Sequence, residues 1–141
     1  MVAVANECKE LDLVMQRGFE GEPQFVCVNL LTSQPMFRFT QEEERNCVSR
    51  IADGASNYLY EPNPAVLKAG CFKLLTHRYD VFKLHKNSNL YTSVQLVPNF
   101  PGRIFEVEGW APYNKKVQQT LLRDVDKASI AVRNFPMSAE Q

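Results

Sequence analysis

A chain of 141 residues, 45% hydrophobic and 23% charged, has ordinary globular composition and length for one domain or two small ones. Its 16 basic and 16 acidic residues cancel, which excludes a dominant nucleic-acid or membrane charge and confines any basic surface to a local patch. No apolar run nears the ~20 residues of a membrane span, and no signal-peptide pattern opens the chain.

Glu7 to Gln16 sets Leu11, Leu13 and Met15 against Asp12 and Gln16. That period of two predicts a strand with one buried face. Arg17 to Pro23 carries two glycines and a proline and turns the chain. Gln24 to Leu31 is apolar on both faces and predicts an interior strand, paired with the first as an antiparallel hairpin. Thr40-Gln41-Glu42-Glu43 has capping-box spacing, and its acidic residues suit a helix start. A helix from Gln41 to about Ile51 is expected, ended by Asp53-Gly54. Asn63 can cap the next helix and Pro64 can occupy its first position without losing a needed hydrogen bond. Leu67, Cys71, Leu74 and Leu75 then share a face, so this helix is expected to run to about His77, with Gly70 inside it as a close-packing point.

Val81 to Leu84 is a short strand candidate, Asn87 to Asn89 a loop, and Leu90 to Thr92 an extended segment. Pro98-Asn99-Phe100-Pro101-Gly102 marks the best internal boundary. Beyond it, a strand over Arg103 to Glu108, a helix from Pro112 to Leu122 and a strand over Ala128 to Arg133 suggest a βαβ unit. Met137 to Gln141 reads as the start of a further helix, with Ser138 as its cap.

Motifs that carry chemistry are scarce. Cys8, Cys27, Cys47 and Cys71 have neither metal-knuckle nor redox spacing, so reduced, mostly buried thiols of a cytoplasmic protein are expected. His77 and His85 form no metal-spaced pair, and no glycine-rich loop resembles a nucleotide cradle. No catalytic, cofactor-binding or metal-binding residue is therefore assigned. Two basic groups remain: Lys68, Lys73, Arg78, Lys83 and Lys86, and then Lys115, Lys116, Arg123, Lys127 and Arg133. The second set follows one predicted helix–strand unit and could hold phosphates through charge, although a solvated helix face is the plainer explanation. Trp110 and Tyr113 at the start of that helix could stack on unpaired bases or simply pack on the sheet.

The block Tyr60-Glu61-Pro62-Asn63-Pro64-Ala65-Val66-Leu67-Lys68-Ala69-Gly70, with Leu90 to Ser93, Gly102 to Val107 and Lys127 to Pro136, resembles the C-terminal half of bacterial class I S-adenosylmethionine-dependent methyltransferases. In these predicted RNA methyltransferases a ferredoxin-like domain precedes a THUMP-like domain. The resemblance covers most of the chain from Leu11 onward. It departs at Val94, where relatives often carry an acidic residue.

The resemblance implies an α+β fold: a ferredoxin-like sheet with helices on one face over residues 1–98, then a partial βαβ THUMP-like lobe over 99–141. It also implies that a Rossmann-type catalytic domain lies upstream, outside this sequence. S-adenosylmethionine is then expected in the parent protein and no cofactor in this part, which would be inactive alone. Expected partners are the catalytic domain, docked through Glu61, Pro62, Asn63 and Gly70, and a tRNA or rRNA met by Lys115, Lys116, Arg123, Lys127 and Arg133. An incomplete sheet would favour a homodimer through Ala128 to Phe135. A docking module that touches no nucleic acid is the alternative, and a small free-standing enzyme using His77, His85 or Cys71 the third reading.

Overall fold

The structure is a computed structural model; it describes residues 1–112 and, beyond them, residues 114, 117, 119, 120, 122, 123, 125–127 and 129. Two four-stranded sheets organise these residues. Sheet I contains β1 (Val2–Val4), β2 (Glu7–Glu10), β3 (Gln24–Leu30) and β4 (Phe37–Thr40), in the order β2-β1-β3-β4. Sheet II contains β5 (Tyr58–Pro62), β6 (Phe82–Lys83), β7 (Tyr91–Ser93) and β8 (Gly102–Glu106), in the order β6-β7-β5-β8. Among residues 1–112 three short helices join them: α1 (Gln41–Asn46), α2 (Pro64–Ala69) and α3 (Leu75–Arg78). The fold is α+β, as the resemblance implied.

The first strand departs from expectation. β2 ends at Glu10 because its partner is β1, where Val2 already faces Glu10; the ladder offers no further rungs to Leu11. The alternation of Leu11, Leu13 and Met15 thus lies on irregular chain, where Leu13 is 84% and Met15 94% exposed. β2 and β3 do not form the expected hairpin. β1 stands between them, antiparallel to β2 and parallel to β3. The predicted interior strand is β3, flanked by β1 and by the antiparallel β4.

The Thr40 capping box forms as predicted: Glu43 N–H donates to Thr40 Oγ1 at 3.3 Å, and Thr40 N–H donates to the Glu43 carboxylate at 2.7 Å. α1 nevertheless ends at Asn46 rather than near Ile51. The following backbone is claimed by sheet II: Lys83 N–H donates to Arg50 O and Ala52 N–H to Lys83 O, each at 2.8 Å. This long-range pairing overrides the local helical pattern.

The helix expected over residues 64–77 is two helices. Asn63 caps α2 as predicted, its Oδ1 accepting the Val66 N–H at 3.1 Å. Gly70 does not sit inside a helix. It is the C-cap of α2 at φ +75°, and a Cβ there would meet nothing within 4 Å. Its value is the left-handed backbone that closes a helix, not a close approach. The amides of Phe72, Lys73 and Leu74 then turn to the Glu44 carboxylate at 2.9–3.2 Å, so they cannot donate to the preceding turn.

The core is continuous across both sheets. Ala3 and Cys27 of sheet I meet Ala65 and Val66 of α2, while Phe37 and Phe39 lead into Tyr60, Tyr91 and Phe100. Aromatic rings make the link, with Phe25–Phe39, Phe39–Phe37, Phe37–Tyr79 and Tyr79–Phe100 centroids 4.9, 5.7, 6.0 and 5.3 Å apart. Phe100 also packs on Tyr60 at 5.0 Å and Tyr91 at 6.1 Å.

Of the predicted βαβ unit, the first strand is β8. It pairs antiparallel with β5, so the 98–102 turn leads back into the sheet that contains β5. Residues 117, 119 and 120 are helical, and Asn114 Oδ1 accepts the Val117 N–H at 2.8 Å. The predicted strand Ala128 to Arg133, apart from residue 129, and the helix start at Met137 lie outside the described residues.

Candidate functional site

The end of β5 and the start of α2 form a rigid corner. Pro62 faces Gly102 and Glu61 faces Arg103 across the β5–β8 ladder. A Cβ on Gly102 would lie 2.1 Å from the Glu61 carbonyl oxygen and 2.8 Å from Pro62 Cα, so only glycine lets the strands approach this closely. Asn63 N–H donates to Pro101 O at 2.9 Å. Arg103 and Glu61 form an ion pair in which the Glu61 side chain is only 15% exposed.

Asn63 is 2% exposed, and its Oδ1 caps α2 while its Nδ2 finds no partner among the described residues. A cavity of about 190 Å³ opens at this corner, lined by Glu61, Pro62, Asn63, Pro64, Leu67 and Arg103, with Asn6 from the β1–β2 turn. Three of the four proposed docking residues, Glu61, Pro62 and Asn63, are therefore brought together. Gly70 lies at the other end of α2, outside this lining.

A second surface is apolar. The β1–β3 pairing aligns Val2 with Val28 and Val4 with Leu30, on the face opposite the buried Ala3, Cys27 and Asn29. Parallel strands are normally covered on both faces. Here the valine face is only half-buried, and the Leu11–Val14 segment crosses it over a cavity of about 450 Å³. From there to Phe19 the chain exposes Leu13, Val14, Met15 and Phe19.

The groups proposed for small-enzyme chemistry are held apart in structural roles. Cys71 is fully buried; its thiol donates weakly to Glu44 Oε2 at 3.5 Å, and burial, reinforced by the Glu44 carboxylate, pushes its pKa far up. That keeps it protonated and poorly nucleophilic. Cys27 is likewise pushed up to about 11 by burial. All four cysteines are free, with Cys8 exposed. His77 Nε2 lies 2.7 Å from Val48 O, and His85 Nδ1 accepts the Asn87 N–H at 3.1 Å. Among the described residues no cluster of His, Cys, Asp or Glu could hold a metal ion, and no helix is long and apolar enough to cross a membrane.

The first basic group does not form a patch. Arg78 pairs with Glu43 at 2.5 Å, Lys73 Nζ donates to Arg45 O, and Lys83 is buried, donating to Lys86 O and lying 5.5 Å from the Phe72 ring centroid. Of the second group, Arg123 and Lys127 are exposed, while Lys115, Lys116 and Arg133 lie outside the described residues. Trp110 is exposed, with its ring edge over Gly54.

Residues 58–101 match the family model of a ferredoxin-like domain, and residues 102–141 match that of a THUMP domain-like family. This chain carries a ferredoxin-like domain followed by a THUMP-like domain. The ferredoxin-like match begins at β5 and ends just before β8, so the two matched segments share sheet II through the β5–β8 ladder. No curated protein matches the chain. A crystal structure from Porphyromonas gingivalis W83, described as a candidate methyltransferase, is similar over 97% of this chain, with 41% identity and a TM-score of 0.86. The chain spans 35% of that protein's length.

Sequence reasoning missed Gly102 and the valine face. Gly102 was visible only as part of a boundary and at the head of one resembling block, with no packing role attached to it. β1, with three residues, is too short for its period to register.

Proposed function

We propose that this chain is a non-catalytic accessory region of an S-adenosylmethionine-dependent methyltransferase and helps to place an RNA substrate. The observation that carries this reading is the 41% identity to a candidate methyltransferase over nearly the whole chain, of which this chain spans about a third. The THUMP-like match at residues 102–141 supplies the link to RNA. Lys115, Lys116, Arg123, Lys127 and Arg133 all fall within that segment. The methyl donor and the reacting groups belong to the catalytic region, and the cytoplasm is the expected location.

The test is a salt titration of structured RNA binding. Changing Lys115, Lys116 and Arg123 to Ala lowers affinity and flattens the logarithmic salt slope by about 1 for each phosphate no longer neutralised. Unchanged affinity and unchanged slope remove the RNA role.

A second reading, docking on the catalytic region without RNA contact, is favoured by the half-covered valine face and the exposed side chains of Leu13 and Val14. On that reading this chain and a separate catalytic region co-elute in gel filtration, and serine at Leu13 and Val14 separates them. Two independent species for the unaltered chain count against it.

A further inference from the structure

We propose that the Glu43–Arg78 ion pair is an autoinhibitory latch: it occupies the open backbone edge of β4 and keeps a second copy of this chain from adding a strand there. The device needs neither RNA nor a catalytic region. β4 is the last strand of sheet I, with β3 on one side only. Such an edge presents unpaired N–H and C=O groups and is a template for another chain. Its sequence, Phe37-Arg38-Phe39-Thr40, suits that hazard, since aromatic residues and threonine favour strands and Arg38 is its one charge. The opposite edge is protected differently. β2 reads Glu7-Cys8-Lys9-Glu10, wholly exposed, with Lys9 Nζ 2.6 Å from the Glu7 carboxylate, and charge of this kind discourages edge pairing.

The β4 edge is closed by two side chains from helices. In an antiparallel strand the N–H and C=O of one residue point the same way, and alternate residues share that direction. Arg38 and Thr40 are such alternates. Thr40 N–H donates to the Glu43 carboxylate at 2.7 Å, and Arg38 C=O accepts from the Arg78 guanidinium. Neither partner belongs to β3, so both bonds lie on the outer side of the strand. The two side chains also bind each other at 2.5 Å, which ties them together along the edge. Arg78 is steadied by Phe37, whose ring centroid lies 5.1 Å from the guanidinium carbon. It stands at the end of α3, between β5 and β6 in the chain, so the segment that builds sheet II seals the edge of sheet I. A cleft of about 600 Å³ lies here, with Gln24, Arg38, Thr40, Glu43 and Arg78 among its lining. An incoming strand needs the same backbone groups and finds room only when the latch opens.

The experiment compares the full chain with the paired variant Glu43→Ala and Arg78→Met, by light scattering over a range of concentrations and by amide hydrogen exchange. Methionine keeps apolar cover over Phe37 and frees the Arg38 C=O. With two backbone groups released for bonds between copies, self-association should tighten about tenfold. The Arg38 amide of the paired variant should exchange more slowly as concentration rises. A control, Glu43→Gln, keeps an acceptor for the Thr40 N–H and removes only the charge; it should associate no more than the unaltered chain. Association of the paired variant equal to that of the unaltered chain, with a cooperative melt retained, overturns the latch. Association without slowed Arg38 exchange puts the contact on another surface and overturns it as well. Association of Glu43→Gln as strong as that of the paired variant overturns it in favour of charge repulsion. If the paired variant does not fold, Arg78→Met alone carries the same comparison, decided by the same outcomes.

Discussion

The two sheets handle their outer surfaces in opposite ways. Sheet II turns its strands into a corner where Tyr60, Tyr91 and Phe100 are fully enclosed and strands β5 and β8 touch backbone to backbone. Sheet I buries one face under α2 and leaves valines on the other, crossed by a segment that exposes its own leucine and methionine. The difference is closure: the corner is enclosed by its own strands, whereas the outer face of the parallel β1–β3 pair is only half covered, by the Leu11–Val14 segment. The corner therefore holds the densest aromatic packing, and the valine face is the less buried surface.

The strongest test of that contrast pairs two changes. Phe100→Ala removes a buried ring touching three other aromatics and should cost about 3–5 kcal/mol in chemical denaturation. The Leu13→Ser and Val14→Ser pair should change stability by about 0.5 kcal/mol or less, while reducing any self-association seen by light scattering. Similar losses for the two would erase the distinction.

Gly102→Ala comes next. A methyl group there meets backbone rather than a yielding side chain, and overpacking of this kind costs about 1–3 kcal/mol. Thermal melting should show it clearly. A neutral result would mean that β8 slides off β5 without penalty.

The smallest effect concerns the edge between the sheets. The Thr40 N–H and then Arg78 hold the Glu43 carboxyl below the usual carboxylate range. A carboxyl with a lowered folded-state pKa contributes stability above its unfolded pKa, and that contribution disappears as pH falls through the folded value. Stability should therefore decline on acidification below pH ~4.5, and Glu43→Gln should make the decline shallower. Parallel pH profiles for the two proteins would show that this box is merely decorative on an exposed surface.

How much was legible follows from the range of the forces involved. The Thr40 and Asn63 caps were readable because a cap is a hydrogen bond between residues three apart. The boundaries of α1 and α2 were not, because Lys83 and Glu44 set them from roughly thirty positions away. The alternation after Glu10 misled because period two describes a side-chain pattern and says nothing of whether a partner backbone is within reach. In the candidate site, Glu61, Pro62 and Asn63 were grouped through their motif, yet what fixes this corner sits opposite them, in Gly102 and Arg103. Gly70 was explained wrongly as a close-packing point inside a helix: its backbone angle, not its missing side chain, is what α2 uses.

Glu44 joins segments that the chain itself separates widely. Its carboxylate grips three successive amides at 72–74 from a helix that follows sheet I. A single protease nick in the intervening linker, between Cys47 and Asn57, would accordingly leave two halves still clasped in solution, and each half would need the other to keep its shape.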